Sequence, residues 1–410
     1  MKGFATRAIH GDQSREKGHG ALRMPVYDNA AFEHETSRSI QLAFEGKKPA
    51  HSYSRISNPT VQDFEQKIRI LSGGLATLGV ASGMAAISNT ILALAEAGTN
   101  IVTSRSLFGN TLSLFEKTFA PWGLQVRFVS MSDPAEVEQA IDANTRAVFM
   151  ESITNPQLEV ADCEKISGIT KKYGVPLIMD NTLLTPYLFN TREAGVNIEL
   201  LSSTKYISGG ATCLGGIIID NGTFNWRQAP KFADKAKQLG PMAFIATLRQ
   251  EVFRNVGACL SPHNAYLQSL GLETMSLRIE KSCANTDILA QHLAGVEKVS
   301  AVHYPGLADS PFHPVARKQF SRGCGGILTF DLRDQETCFA FMDSLKLIRR
   351  ATNINDNKTL ILHPFSTIFA EYPEEKKLLM GVRPTMLRLS VGIEDSEDLI
   401  DDLERGFIAL

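Results

Sequence analysis

The chain has 410 residues, a formal net charge of −2, and 43% hydrophobic and 21% charged residues. That balance predicts a globular protein of two domains plus an arm, and it provides no bulk positive charge for holding nucleic acid or a membrane surface. The six cysteines (Cys163, Cys213, Cys259, Cys283, Cys324, Cys338) are scattered with no C-x-x-C pair. This predicts reduced thiols in the cytoplasm, not a disulfide frame or a zinc site. No secretory h-region follows Met1 and no run is long enough to span a bilayer.

Residues 1–50 have little periodicity and are punctuated by Gly18, Gly20 and Pro25. They read as an extended arm, which must lie on its own body or on a neighbouring subunit. Tyr53 and Arg55 follow on an extended segment, and the arginine offers a fork of donors suited to phosphate or carboxylate. Asn58-Pro59-Thr60 is a turn, with Thr60 the expected N-cap of a helix over 61–71. Ser82 and Gly83 open an Ala- and Leu-rich helix, and a helix N-terminus whose glycine lets the backbone come close is a ready anion site.

From residue 99 the chain alternates strands and helices. Apolar runs at 101–103, 126–129, 147–150, 176–179, 198–201 and 214–219 read as strands. Helices are expected between several of them, for example over 134–143 and 161–172. This is the pattern of a largely parallel sheet with helical crossovers. Polar residues stand just past three of the runs: Glu151, Asp180-Asn181-Thr182 and Lys205. Three such endings point to one site at a shared edge of the sheet, where open α/β sheets bind ligands.

Lys205 sits between a buried strand and the turn Gly209-Gly210, preceded by the hydroxyls of Ser202, Ser203 and Thr204. A lysine in such a crevice can lose its charge by desolvation and become a nucleophilic amine. Pyridoxal phosphate accounts for the whole set. It needs a lysine for its Schiff base, an acid for its pyridine nitrogen, and donors for its phosphate. Lys205 supplies the amine and Asp180 the acid. Phosphate donors are the amides of Gly83 and Met84, next to Ser82, together with Ser202, Thr204, Tyr53 and Arg55, and Phe108 is placed to stack on the ring.

Six segments, in order along almost the whole chain, resemble the cystathionine γ-synthase family of Cys/Met-metabolism pyridoxal-phosphate enzymes. They are 53–60, 82–86, Glu151-Ser-Ile-Thr-Asn-Pro156, 180–182, 202–206 and Leu387-Arg-Leu-Ser-Val-Gly-Ile-Glu-Asp395. Further stretches, Ala351-Thr-Asn-Ile-Asn-Asp-Asn-Lys-Thr359, His363-Pro-Phe-Ser-Thr367, 257–262 and 271–275, are most similar to the O-acetylhomoserine sulfhydrylase branch. The resemblance implies the aspartate-aminotransferase-like α/β fold (fold type I) with an arm over 1–50, a cofactor domain over 51–255 and a smaller C-terminal α/β domain over 256–410. The sheet would be mostly parallel with helices on both faces. It implies that Glu151, Asn155 and Thr182 join the cofactor site, and that Arg388 binds the substrate carboxylate with Asn155 and Ser366. It further implies a homotetramer in which Tyr53 and Arg55 reach the partner's cofactor phosphate, with Tyr53 also serving catalysis and substrate binding. The implied reaction is γ-replacement on an O-acylhomoserine by a sulfur nucleophile, giving homocysteine. Cystathionine γ-synthase and methionine or cystathionine γ-lyase are the alternatives. One departure stands out: most of the family has tyrosine where this chain has Phe108.

Overall fold

The computed structural model describes residues 3–11 and 20–410; Gly18, one of the arm's expected punctuation points, lies outside them. Two sheets organise the chain. The first contains β1 (Ala76–Val80), β2 (Asn100–Ser104), β3 (Gln125–Val129), β4 (Thr145–Glu151), β5 (Leu177–Asp180), β6 (Ile198–Leu201) and β7 (Gly216–Asp220), in the order β1-β7-β6-β5-β4-β2-β3. The second contains β8 (Ala301–His303), β9 (Ile327–Asp331), β10 (Arg349–Arg350), β11 (Leu360–Leu362) and β12 (Met386–Ser390), in the order β10-β11-β12-β9-β8.

β2 through β6 are mutually parallel, while β7 pairs antiparallel with both β6 and β1. β1 therefore points the same way as the parallel strands, and only β7 is reversed. The expected strand at 214–219 is this reversed one, shifted to 216–220. β1 was not expected, because Ala76-Thr-Leu-Gly-Val80 has a glycine at its centre and a weak apolar signal.

Alternate residues of the central strands feed two separate cores. Val148, Met150, Leu177, Met179, Leu201, Ile217 and Ile219 face one core. Ala147, Phe149, Ile178, Ile198, Leu200 and Ile218 face the other. This period of two explains why these strands read as unbroken apolar runs: each face of the sheet is covered. The helix Gly83–Leu94 packs on one face and the helices Pro59–Ser72 and Cys163–Tyr173 on the other.

Three sequence readings are corrected by the structure. Thr60 is not a cap. Asn58 is the N-cap, Pro59 takes the first helical position, and the Asn58 side chain accepts the Thr60 N–H at 2.9 Å. Thr60 Oγ instead ties down the arm, accepting from the Tyr27 amide and donating to the Pro25 carbonyl. The helix expected over 134–143 ends at Ala140, because Asp142 folds back onto the Asn144 amide and is held by Asn100 and Arg127. The arm is not wholly extended. It carries the helix Phe4–His10, whose Phe4 packs edge-on against Tyr187, and the helix Ser37–Phe44, which buries none of its residues.

Candidate active site

Five strands of the first sheet carry side chains at or past one edge that meet there. Ser82, Gly83 and Met84 follow β1, Phe108 follows β2, Glu151 ends β4, Asp180 and Thr182 close β5, and Ser202, Thr204 and Lys205 follow β6. All of them line one cavity, together with Asn155 and with Arg388 from β12 of the second sheet. The cavity is thus closed by both halves of the chain.

Each wall has a local cause. Ser82 caps its helix by accepting the Ala85 amide at 3.1 Å, and the Ala86 amide bonds the Ser82 carbonyl. The amides of Gly83 and Met84 come before the first bond of the helical ladder, so they remain for a ligand. A Cβ at Gly83 would lie 2.7 Å from the Ser202 Cβ, so glycine lets the helix start press against the end of β6. Thr182 Oγ accepts the Ser202 amide at 2.8 Å and the Thr182 amide donates to Asp180 at 3.0 Å, which joins the ends of β5 and β6. Thr204 Oγ is engaged with both the amide and the carbonyl of Gly215.

The electrostatics follow from withdrawing charges from water. Glu151 is buried, accepts the Phe108 amide at 2.9 Å and lies in register beside Asp180 on the neighbouring strand. Burial, and then the Asp180 charge, push Glu151 up to about 8. Burial also raises Asp180, but the Thr182 hydroxyl and amide and the charge of Lys205 pull it back. Glu151 therefore holds the proton at neutral pH, and Asp180 is the acid better placed to carry charge. Burial lowers Lys205 to about 8, with the nearby Arg388 pushing the same way against Asp356 and Asp180. Arg388 is buried. Its Nη1 donates to Asn155 at 3.0 Å and its Nη2 to the Thr352 carbonyl at 3.2 Å, while its Nε has no partner. A buried guanidinium that lines a cavity is suited to a carboxylate.

Three expected residues, Ser366, Tyr53 and Arg55, do not line the cavity, and neither does Ser203. Ser203 is buried with its hydroxyl against Gly215, on the other side of the backbone from Ser202. Ser366 gives its hydroxyl to His363 Nδ1 at 2.8 Å and is not among the residues lining the cavity. Tyr53 and Arg55 also lie away from it. The Arg55 guanidinium sits 5.5 Å over the Tyr53 ring and donates to the Arg254 carbonyl. The sequence reading missed Ile87, Thr111, Ile153, Leu183, Leu214, Thr352 and Ile354, which complete the lining. Ile87 could have been found, since it stands one helical turn beyond Gly83 and so shares its face. Thr352 and Ile354 lie in an aperiodic loop that gives no such signal.

A desolvated lysine, a paired acid, a helix start and a flat phenyl ring together define a site for a phosphorylated aldehyde cofactor. The profile of the Cys/Met metabolism PLP-dependent enzymes matches residues 5–408, and the chain belongs to that family. An O-acetyl-L-homoserine sulfhydrylase of Corynebacterium glutamicum is 36% identical, over 100% of this chain and 97% of its own. An L-methionine gamma-lyase of Pseudomonas putida is 35% identical, over 100% and 98%. A solved O-acetylhomoserine sulfhydrylase of the methionine biosynthetic pathway of Wolinella succinogenes superposes with a TM-score of 0.77 at 50% identity, covering 86% of this chain and 98% of that one. The cofactor is pyridoxal phosphate, and the donor set here fits it. The helix-start amides of Gly83 and Met84, the hydroxyl-bearing Ser202 and Thr204, Asp180, Lys205 and Phe108 all line the one cavity.

The Glu151 carboxyl has a sign that can be tested. Its folded value, about 8, lies above the ordinary 4.5, so the folded protein binds the extra proton. Its contribution to stability is intact at low pH and is lost as pH rises through that window, at up to about 1.4 kcal/mol per pH unit. Glu199 and Asp220, each raised to about 7 by burial, slope the same way, so the comparison must be made against a variant. Glu151→Gln keeps the acceptor for the Phe108 amide. Thermal unfolding of the cofactor-free proteins is expected to show the variant gaining on the parent from about pH 5.5 to about pH 8.5. Parallel curves would rule out this placement of the proton.

Proposed function

We propose that the chain is an O-acetylhomoserine sulfhydrylase, replacing the acyl group at the γ-carbon of an O-acylhomoserine with sulfur to give homocysteine and a carboxylate. The family, the names of its relatives and the cavity all support this reading. Within the family, the observation that selects the reaction is Phe108. A ring on the cavity wall keeps a stacking surface but has no hydroxyl, so it can neither give nor take a proton. A leaving thiol, with a pKa near 8.5, gains from a proton donor, whereas a carboxylate with a pKa near 4 departs unaided. The missing phenol therefore handicaps a thioether lyase more than an acyl-replacing enzyme.

When bound, pyridoxal phosphate supplies an aldehyde for the substrate amine and a ring that accepts electrons from the substrate carbon. The residues do the rest. Arg388, with its unused Nε, receives the substrate carboxylate beside Asn155. Asp180 would pair with the ring nitrogen and favour its protonated form. The amides of Gly83 and Met84, with Ser202 and Thr204, would hold the phosphate. Lys205 would anchor the aldehyde, and its Nζ, whose pKa burial lowers to about 8, is the base that would take the α-proton. The apolar wall of Ile87, Ile153, Leu183 and Ile354 limits water near the reacting carbons.

The division into an arm, a cofactor domain to about residue 255 and a C-terminal domain is part of the same reading. So is a cytoplasmic setting, which the six unpaired cysteines support. Among the described residues no helix is long and apolar enough to cross a membrane. The arm supports a shared site in a homotetramer built from dimers. Tyr27, Ile40 and Phe44 are exposed along it, and Tyr53 and Arg55, just past it, do not line their own cavity. These two would complete the phosphate site of a second copy.

Three experiments test these readings. The cofactor-loaded protein, given O-acetylhomoserine, is expected to form homocysteine only when sulfide is present. Release of 2-oxobutyrate and ammonia at the same rate without sulfide would make it a lyase. Phe108→Tyr is expected to raise 2-oxobutyrate formation from methionine by about tenfold or more relative to homocysteine synthesis, and an unchanged ratio would remove the argument from the phenol. Arg55→Ala and Lys205→Ala are each expected to be nearly inactive alone. Unfolded and refolded together they should recover about a quarter of parental activity, because half the dimers would then hold one intact site of two. No recovery would mean that Arg55 does not act across the interface.

A further inference from the structure

Lys205 is not free in its cavity. Its Nζ donates to Asn353 Oδ1 at 2.5 Å, and Asn353 Nδ2 donates to Asp356 Oδ2 at 3.0 Å. The second bond decides the first. A carboxylate can only accept, so it draws the amide's NH2 and leaves the amide oxygen facing the lysine. Asp356 is itself held by the Lys358 amide at 3.2 Å. On its other side, the Asn353 backbone carbonyl and that of Thr352 take the Arg388 Nη2 at 3.4 and 3.2 Å. One residue thus holds the lysine with its side chain and the arginine with its backbone. It fixes the distance between two cations that would otherwise repel.

We infer that Asn353, oriented by Asp356, is the positioning residue that parks the Lys205 amine whenever that amine is not bonded to the cofactor. This rests on Lys205 being the lysine that bonds pyridoxal phosphate. An amine in use as the cofactor's anchor cannot take a proton from the substrate, so every turnover includes an interval in which it must be held elsewhere. The charged groups facing Nζ are Asp180, Asp356 and Arg388. With Asn353 gone, the attraction of Asp180 and the repulsion of Arg388 would draw the amine away from the substrate carboxylate site. Asn353 is half-buried at the cavity mouth, where an outer hollow shares Phe108, Thr204, Lys205 and Thr352 with the inner one. Truncating it therefore leaves the core intact.

The test uses Asn353→Ala, Asp356→Asn and the double variant. Cofactor-free protein is mixed with pyridoxal phosphate alone, and recovery of the visible absorbance is timed. Asn353→Ala is expected to reload about tenfold more slowly, because a misplaced nucleophile loses its approach geometry. In turnover its kcat should fall about 10- to 100-fold with KM for O-acetylhomoserine within about twofold, the pattern of an interaction that acts after binding. Asp356→Asn should give a smaller loss of the same kind, and the double variant should be no worse than Asn353→Ala, since both act through one amide. Reloading at the parental rate would overturn the inference. So would a raised KM with unchanged kcat, which would make Asn353 a substrate contact, or fully additive losses, which would separate Asp356 from it. The reloading measurement contains no acylhomoserine. Failure of the sulfhydrylase reading would therefore leave it standing, and its own failure would not touch that reading.

Discussion

The site depends on keeping charges out of water at one edge of one sheet. Five co-directional strand ends bring Glu151, Asp180 and Lys205 together at the edge of a buried, largely apolar sheet, and β12 adds Arg388 from the second sheet. Each of these groups would cost several kcal/mol to bury alone as an ion. They coexist because burial acts on them in different ways. Glu151 gives up its charge by keeping a proton. Lys205 moves toward neutrality. Arg388 cannot, and it leans on Asn155 and two loop carbonyls. The lowered lysine and the buried arginine are thus two results of one constraint, and the roles proposed for them, nucleophile and carboxylate anchor, both draw on it.

Much of this was legible in the sequence, because the central strands have both faces covered. Continuous apolar runs gave β2 to β6 and placed Glu151, Asp180 and Lys205 at their ends. What was hidden has physical reasons. β1 carries Gly79, and a Cβ there would meet Leu260 at 3.3 Å, so close packing replaced the apolar signal with a glycine. The reversal of β7 is set by the turn after Lys205, whose direction no periodicity encodes. Thr60 looked like a cap because a threonine before a helix usually is one, but Asn58 with Pro59 makes the better start. Ser203 stands among cavity-lining neighbours, yet it lies in the turn past β6, where no simple period tells which side chains face the cavity.

The segment 352–356 was the least legible part of the site. It has no apolar period, and its value lies in backbone and amide geometry. Asn355 adopts a positive φ of 54°, which asparagine tolerates better than most residues. That conformation turns its amide N–H to the Ser390 hydroxyl at 2.8 Å, and its side chain reaches the Thr182 carbonyl at 3.3 Å. The loop is pinned between the end of β5, next to Asp180, and the end of β12, next to Arg388. A polar stretch that reads as a linker is the joint between the two sheets.

That joint explains why the residues of one cavity are spread over more than 300 positions of the chain, from Ser82 to Arg388. The first sheet can place Lys205 near Asp180 by itself, because Asp180 ends β5 and Lys205 follows the end of its parallel neighbour β6. It cannot place Lys205 relative to Arg388, which arrives on a different sheet with its own register. Only a contact that touches both cations can set their separation, and the Thr352-Asn353 dipeptide does so through two carbonyls and one side chain. The Arg388 Nε is left without a partner, and an unpaired buried donor costs free energy. Under the proposed reaction the substrate carboxylate would compensate by pairing with the guanidinium. Docking the second sheet on the first thus leaves a cation one partner short, beside an amine held at a fixed distance. An amino acid that brings both a carboxylate and an α-proton meets both requirements in one orientation.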